Sequence, residues 1–291
     1  MPSIKDLKKR ITTVKNTQQT TKAMKMVSAA KLRRATEAIL SQRPYALEIA
    51  KLMAILAEQG TTAADAIRKP VTLLLVISSD RGLCGGYNSN IIRSAVNVLN
   101  EKAAAGKAVK TIFVGKKAHE LVRLRTQVDV LHYEEFGQKI NFKKATELSK
   151  RMLPLFEQGG ADEVIFVFNE FKNAISQETK VDQILPLDLS HHEKTDPKSQ
   201  ILTHELTLYA PNKQELYEAL SSKYFVVQVF KSLLEAQASE HGARMSAMES
   251  ATKNAGDMIR KLTLQYNKQR QAAITKELLE IIAGSESQKT A

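Results

Sequence analysis

The sequence predicts an α/β protein: a long antiparallel coiled coil of N- and C-terminal helices with a Rossmann-like α/β domain inserted between them. Three observations carry that reading. Residues 3–59 contain no glycine and a single interior proline, Pro44. Residues 212–283 have the same helical character. Between these ends, short apolar runs alternate with helix-like segments, as in a mostly parallel sheet with helices on its faces.

The first element is one long helix, rich in Lys, Ala, Met and Leu, with a kink expected at Pro44. Apolar or small residues recur every three or four positions: Ile4, Leu7, Ile11, Val14, Thr17, Thr21, Met24, Val27, Leu32, Ala35 and Ile39. The stripe is narrow, like a coiled-coil seam rather than the face of a globular helix. After Gly60, residues 71–77 form an almost wholly apolar strand that ends in the loop SSDRGLCGGYN, and a helix follows over 89–105. The unit repeats more loosely: strand 109–114 and a helix to Arg125, strand 128–132 and helix 142–157, then strand 163–169. Residues 176–184 and 201–209 read as further edge strands, separated by the polar loop LSHHEKTDPKS.

The last element marks one side with Leu216, Leu220, Val227, Phe230, Leu234, Met245, Met248, Ala255, Ile259, Leu262, Tyr266 and Ala273. Unbroken, it would be ~105 Å long and the first helix ~80 Å, too long for either to lie within a domain of this size. Winding them around each other as an antiparallel pair removes the difficulty. The expected division is a shaft helix over 1–59, an α/β foot over 70–209 and a second shaft helix over 212–287.

The composition limits the chemistry. With 43% hydrophobic residues in 291, the chain can bury a real core. Cys84 is the single cysteine, so neither an intramolecular disulfide nor a cysteine zinc site can form, which fits a reducing compartment. The start, MPSIKDLKKR, is not a signal peptide, and no stretch approaches the ~18 apolar residues of a membrane span. The net charge is +12, and residues 1–51 hold 12 Lys and Arg against Asp6, Glu37 and Glu48. Such a segment suits nucleic acid, anionic lipid or an acidic protein partner, and equally a solvated helix face.

The loop Asp80–Arg81–Gly82–Leu83–Cys84–Gly85–Gly86–Tyr87–Asn88 lies where doubly wound sheets bind ligands. It lacks the Gly-Lys-Ser/Thr ending of a P-loop and the G-x-G-x-x-G spacing of a dinucleotide site, so it reads as a tight structural turn. Cys84 has no His nearby in sequence to activate it. His191 and His192 lack the companions of a metal site and read as exposed loop residues. The sequence therefore assigns no catalytic residue, no cofactor and no metal. More telling are 21–35, which interleave cations with methionines and small residues, and 236–258, which are full of Ala, Ser, Gly and Met. Small residues let helix backbones approach, and a surface without aromatic anchors suits contacts that are not tight.

Four of these stretches carry a resemblance: ITTVKNTQQTTKAMKMVSAAKLRRA, SDRGLCGGYN, ARMSAMESATKNAGDMI and YNKQRQAAITKELLEIIAGS. Together, in this order, they resemble the gamma subunit of F-type ATP synthases, of bacterial type. The resemblance implies a non-catalytic rotor shaft inside a ring of alpha and beta subunits, its foot meeting epsilon and the membrane ring of c subunits. It implies no cofactor, no nucleic acid and no small-molecule substrate, and a peripheral position on the cytoplasmic side of the bacterial inner membrane. Met24 and Lys25 match the shaft residues that meet an acidic loop of beta, and Arg270 and Gln271 match those that form a catch with it. Arg33 and Arg34 join this set on charge alone. The apolar ending Ile274, Leu278, Leu279, Ile281 and Ile282 resembles a tip that turns in a greasy bearing, and thiol regulation of the chloroplast kind is expected to be absent. Two other readings are a nucleotide-binding α/β enzyme, with phosphate near Gly85 and Gly86, and a basic coiled-coil nucleic-acid-binding protein, with salt-sensitive affinity. Neither accounts for the four motifs.

Overall fold

The computed structural model describes residues 3–58, 70–137, 139–174, 176–186 and 212–289. The expected strand 201–209, the polar loop before it, and His191 and His192 lie outside the described residues. In order, the elements are α1 (Ile4–Glu58), β1 (Val71–Ile77), α2 (Tyr87–Ala104), β2 (Ala108–Val114), α3 (Lys116–Arg123), β3 (Asp129–Glu134), α4 (Phe142–Glu157), β4 (Glu163–Phe171), β5 (Gln177–Leu185) and α5 (Lys213–Lys289). The chain forms two compact units, Met1–Ser28 with Met245–Ala291, and Ala29–Arg244. Helices α1 and α5 contribute to both.

Local signals start the helices. At α1 the Ser3 hydroxyl accepts from the Asp6 amide (3.2 Å), while the Asp6 carboxylate accepts from the Ser3 amide (3.3 Å), a reciprocal capping box. Asn141 caps α4 through the Lys144 amide (2.9 Å), and Asn212 does the same for α5 through Glu215 (2.8 Å). α1 continues as helix through Pro44.

In the larger unit the sheet order is β3-β2-β1-β4-β5. β1 to β4 are mutually parallel, and β5 returns antiparallel along β4, pairing Gln177 with Phe171. The central strand is apolar on both faces because both are covered. Leu73, Leu75 and Ile77 pack in one cluster with Ala145, Leu148 and Met152 of α4, Ile49 and Met53 of α1, and Phe225, Val229 and Leu233 of α5. Leu74 and Val76 belong to the other, with Ile91 and Ala95 of α2 and Ala118 and Val122 of α3. The long helices thus share a layer with α4. Each fully buried Val, Leu, Ile, Phe or Met side chain among these stabilises the fold by about 1.5–3 kcal/mol.

Glu163, the first residue of β4, is buried beside Thr72 of β1. Burial alone would raise its carboxyl, but hydrogen bonds from Lys102 (2.9 Å) and Thr72, with the charges of Lys102 and Lys107, hold it below the usual range.

Candidate functional site

In the smaller unit the N-terminal part of α1 runs antiparallel to the C-terminal part of α5. The register is fixed by Thr252 Oγ1, which donates to Thr21 Oγ1 at 2.8 Å, and by Gln18 Nε2, which reaches the Thr252 carbonyl at 3.4 Å. Continuing that register sets Val14 opposite Ile259, Ile11 opposite Leu262, Leu7 opposite Tyr266 and Ile4 opposite Gln269. All are buried or half-buried, Leu7 almost completely. The spacing is an unbroken heptad pattern: 4, 7, 11, 14, 18, 21, 25, 28 on one helix and 245, 248, 252, 255, 259, 262, 266, 269 on the other.

This corrects the sequence reading of the seam. Thr17 and Val27 are exposed, and Gln18, Lys25 and Ser28 take the inward positions. Strict three-four alternation, rather than apolarity, decides which side chain faces the partner helix, and in this stretch the inward residues are polar. Ala273 is exposed for a related reason. α1 begins at Ile4, so no residue of α1 lies opposite α5 beyond Gln269.

Lys25 is half-buried, its Nζ 2.6 Å from Glu249 Oε1. Its alkyl stem lies along the seam and its charge reaches out to the neighbouring helix. Met24 beside it is half-buried. Arg270 and Gln271 are exposed where the pairing stops, and the Gln271 carbonyl accepts from the Thr275 hydroxyl (2.9 Å). Beyond them Ile274, Leu278, Leu279, Ile281 and Ile282 are also exposed. Arg33 and Arg34 belong to the larger unit and are exposed, Arg33 pairing with Glu37 at 3.0 Å one turn on. That is the geometry of a solvated helix face.

The loop after β1 is a structural clamp. Leu83 (φ 65°) and Gly85 (φ 58°) turn the chain back. Asn88 then holds the turn, accepting from the Ser79 amide (3.2 Å) and donating to the Ser79 hydroxyl (2.8 Å) and to Cys84 Sγ (3.2 Å). Asp80 crosses the strand mouth and accepts from the amides of Lys116 (3.2 Å), Phe136 (2.9 Å) and Gly137 (2.9 Å). Ser78 Oγ accepts from the Ala118 amide (2.9 Å), and the Ser79 carbonyl from that of Lys117 (3.1 Å). The amides that open α3 are thus satisfied by the protein itself, and at the opening of α2, where a doubly wound sheet would hold a phosphate, the Tyr87 amide donates to the Cys84 carbonyl (3.2 Å). Cys84 is buried, and burial pushes its thiol up, away from the reactive thiolate.

The same loop grips α5. Arg244 donates to the carbonyls of Arg81 and Gly82 (both 3.3 Å) while pairing with Glu240 at 2.7 Å, and the Tyr87 hydroxyl donates to the Ala236 carbonyl (3.1 Å). Next to Ala236, the buried Glu235 accepts from Arg43 of α1 (3.3 Å) and from the Phe171 amide at the end of β4 (2.9 Å). Ser239 donates to the Asn169 carbonyl (3.0 Å). The sequence reading did not single out Arg43, Glu235, Glu240 or Arg244. The local sequence carries little signal: Glu235 stands in KSLLEAQA among Lys231, Ser232 and Gln237 and reads as one more polar residue of the helix.

The family model described as ATP synthase matches residues 3–287. An ATP synthase gamma chain of Geobacter metallireducens is 44% identical over 293 residues, covering 99% of this chain and 100% of the relative. Gamma chains of Fuscovulum blasticum (44%) and Rhizobium etli (43%) match with the same coverage. Among solved structures, a chain of the Tetrahymena thermophila mitochondrial ATP synthase central stalk and c-ring is 28% identical, with a TM-score of 0.59 over 79% of this chain and 98% of that one. A chain of the Euglena gracilis mitochondrial ATP synthase shares the fold, with a TM-score of 0.68 at 22% identity over 98% of this chain and 94% of that one.

Proposed function

The chain belongs to the family of ATP synthase gamma chains, and on that premise we propose that it is a non-catalytic central rotor of a bacterial F-type enzyme. It turns within a ring of alternating alpha and beta subunits and meets epsilon and the membrane ring of c subunits at its α/β unit. Ion flow, of protons or sodium, turns the ring. The chain in turn biases each beta subunit toward its open or closed form by differential contact with an asymmetric surface. The observation that carries this reading is the antiparallel coiled coil of the smaller unit, whose seam is apolar from Ile4 to Val14 and is lined by small, polar and methionine side chains from Gln18 to Ser28 and from Met245 to Ala255. Solvated charges and small side chains suit a surface that must leave each of three equivalent sites in turn. The loop's Arg81 and Gly82 carbonyls, taken by Arg244, and its Ser79–Asn88 hydrogen bonds count against the nucleotide-enzyme reading.

Met24, Lys25, Arg270 and Gln271 are the proposed contacts with beta, with Arg33 and Arg34 as a weaker addition resting on charge. The exposed apolar end of α5 is the proposed bearing surface. Among the described residues no helix is long and apolar enough to cross a membrane. We place the chain as a peripheral protein on the cytoplasmic side of the inner membrane, held there by the c ring.

The test is reconstitution with cognate alpha and beta subunits, followed by an ATP hydrolysis assay. The expected product contains three alpha, three beta and one of this chain, and hydrolysis changes on Arg270→Glu. No complex from competent alpha and beta subunits would remove the rotor assignment.

A further inference from the structure

A rotor has to carry force between its helices and its α/β unit. Apolar packing resists separation but has no directional preference, whereas hydrogen bonds weaken steeply once they are bent or stretched. Resistance to sliding therefore concentrates at the polar links. In the unit Ala29–Arg244, α5 is tied to the sheet side through Glu235, Ala236, Ser239 and Arg244. Glu235 differs from the other three because it reaches α1 as well. One carboxylate oxygen takes the Arg43 guanidinium and the other takes the Phe171 amide. Its side chain is 2% exposed while that of Arg43 is 46% exposed, so the carboxylate is buried between a half-exposed cation and a backbone amide, and losing either bond leaves a buried oxygen unsatisfied.

We propose that Glu235 is a force-bearing positioning residue: the joint through which α1, α5 and the end of β4 turn as one body. The inference rests on the rotor reading and deepens it. The charge-assisted bond to Arg43 prevents α1 from sliding along α5. The bond to the Phe171 amide prevents α5 from rolling against the sheet. Ser239, one turn further on, bonds the Asn169 carbonyl of the same strand and so supports the second contact. On the rotor reading hydrolysis takes place on the ring around the shaft, so the joint affects coupling and leaves the chemistry of hydrolysis alone.

The test uses the complete synthase in inverted membrane vesicles, carrying this chain as it stands or as Glu235→Ala, Glu235→Gln or Arg43→Gln. ATP hydrolysis is measured beside ATP-driven ion uptake, followed with a pH-sensitive dye or radioactive sodium. Glu235→Ala is expected to keep hydrolysis within about twofold while uptake per ATP falls about threefold or more. Glu235→Gln still accepts from Phe171 but loses the charge facing Arg43, so it should fall between, close to Arg43→Gln. If Glu235→Ala fails to assemble, the two milder variants decide by the same ratio. An unchanged ratio, or hydrolysis and uptake falling in proportion, overturns the joint and leaves the rotor reading intact. Failure of the unaltered chain to assemble with alpha and beta removes the rotor reading, and the joint falls with it.

Discussion

Lys25 occupies an inward heptad position and satisfies its charge on Glu249, so it has one role inside the chain before any role toward a partner. Charge reversal there would set two carboxylates together. Both side chains are over a third exposed, and a pair of this kind contributes about 0.2–1 kcal/mol. The expected outcome is that Lys25→Glu lowers the thermal midpoint slightly and that adding Glu249→Lys restores it. If the double variant folds normally yet still alters hydrolysis in the reconstituted complex, the effect belongs to the contact with beta. Recovery of both stability and hydrolysis would confine Lys25 to an intrachain role. A second residue prediction concerns His241, whose Nδ1 is buried with no hydrogen-bond partner among the described residues. Burial first, then the charges of Arg244 and Lys31, pull its pKa down to about 4. Above pH 6.5 it adds no pH dependence. Between about 6.5 and 4 the unfolded chain takes up a proton that the folded chain refuses, so its contribution to stability falls as pH falls. The neighbouring Glu240 carboxyl is raised by burial, and its contribution has the opposite sign, because the folded chain protonates first. The imidazole is therefore best followed directly: its NMR titration should centre near 4, and a midpoint near 6.5 would refute the packing described. Neither His241 nor the Glu235 joint could be read from local pattern, since both depend on which distant element packs over them.

At the scale of elements, periodicity gave most of the fold. The strand at Val71–Ile77 and the helix at Phe142–Glu157 were legible because an apolar run or an amphipathic stripe dictates each one locally. β3 formed at Asp129–Glu134, starting one residue and ending two residues later than the expected 128–132, because an edge strand buries little and takes its ends from pairing with β2. Thr17 and Val27 fall off the α1 seam because apolar or small residues at three-four spacing occur there one position away from the heptad positions Gln18 and Ser28. Two glycines test the elements. Gly115 has φ 104°, and a Cβ there would meet the Ser78 carbonyl oxygen at 2.1 Å. Gly115→Ala should cost about 2–4 kcal/mol in urea unfolding, since backbone must move to admit it. Gly256 is within the coiled coil, where a Cβ would press only on the flexible end of Gln18 at 3.0 Å. Gly256→Ala should therefore gain up to about 1 kcal/mol of helix stability, seen as a higher midpoint by circular dichroism. A lower midpoint would mean that the seam has no slack at Gln18.

For the whole molecule, the claim is that a chain whose candidate ligand loop is spent on holding α5 serves as a mechanical part. The four sequence motifs map onto that claim: two line the coiled coil, one is the clamp after β1, and one carries the end of α5 past its partner helix. A label can be attached without disturbing them. Leu124 is 80% exposed in the turn after α3, while Cys84 is 2% exposed and its thiol is pushed up by burial. In Leu124→Cys the new thiol should react selectively. The most direct measurement is to fix the reconstituted alpha–beta ring to a surface, attach a bead at this position and supply ATP. The account expects the bead to turn in one direction, pausing three times per revolution to match three equivalent sites. A complex that hydrolyses ATP while a firmly attached bead only fluctuates about one orientation would contradict it.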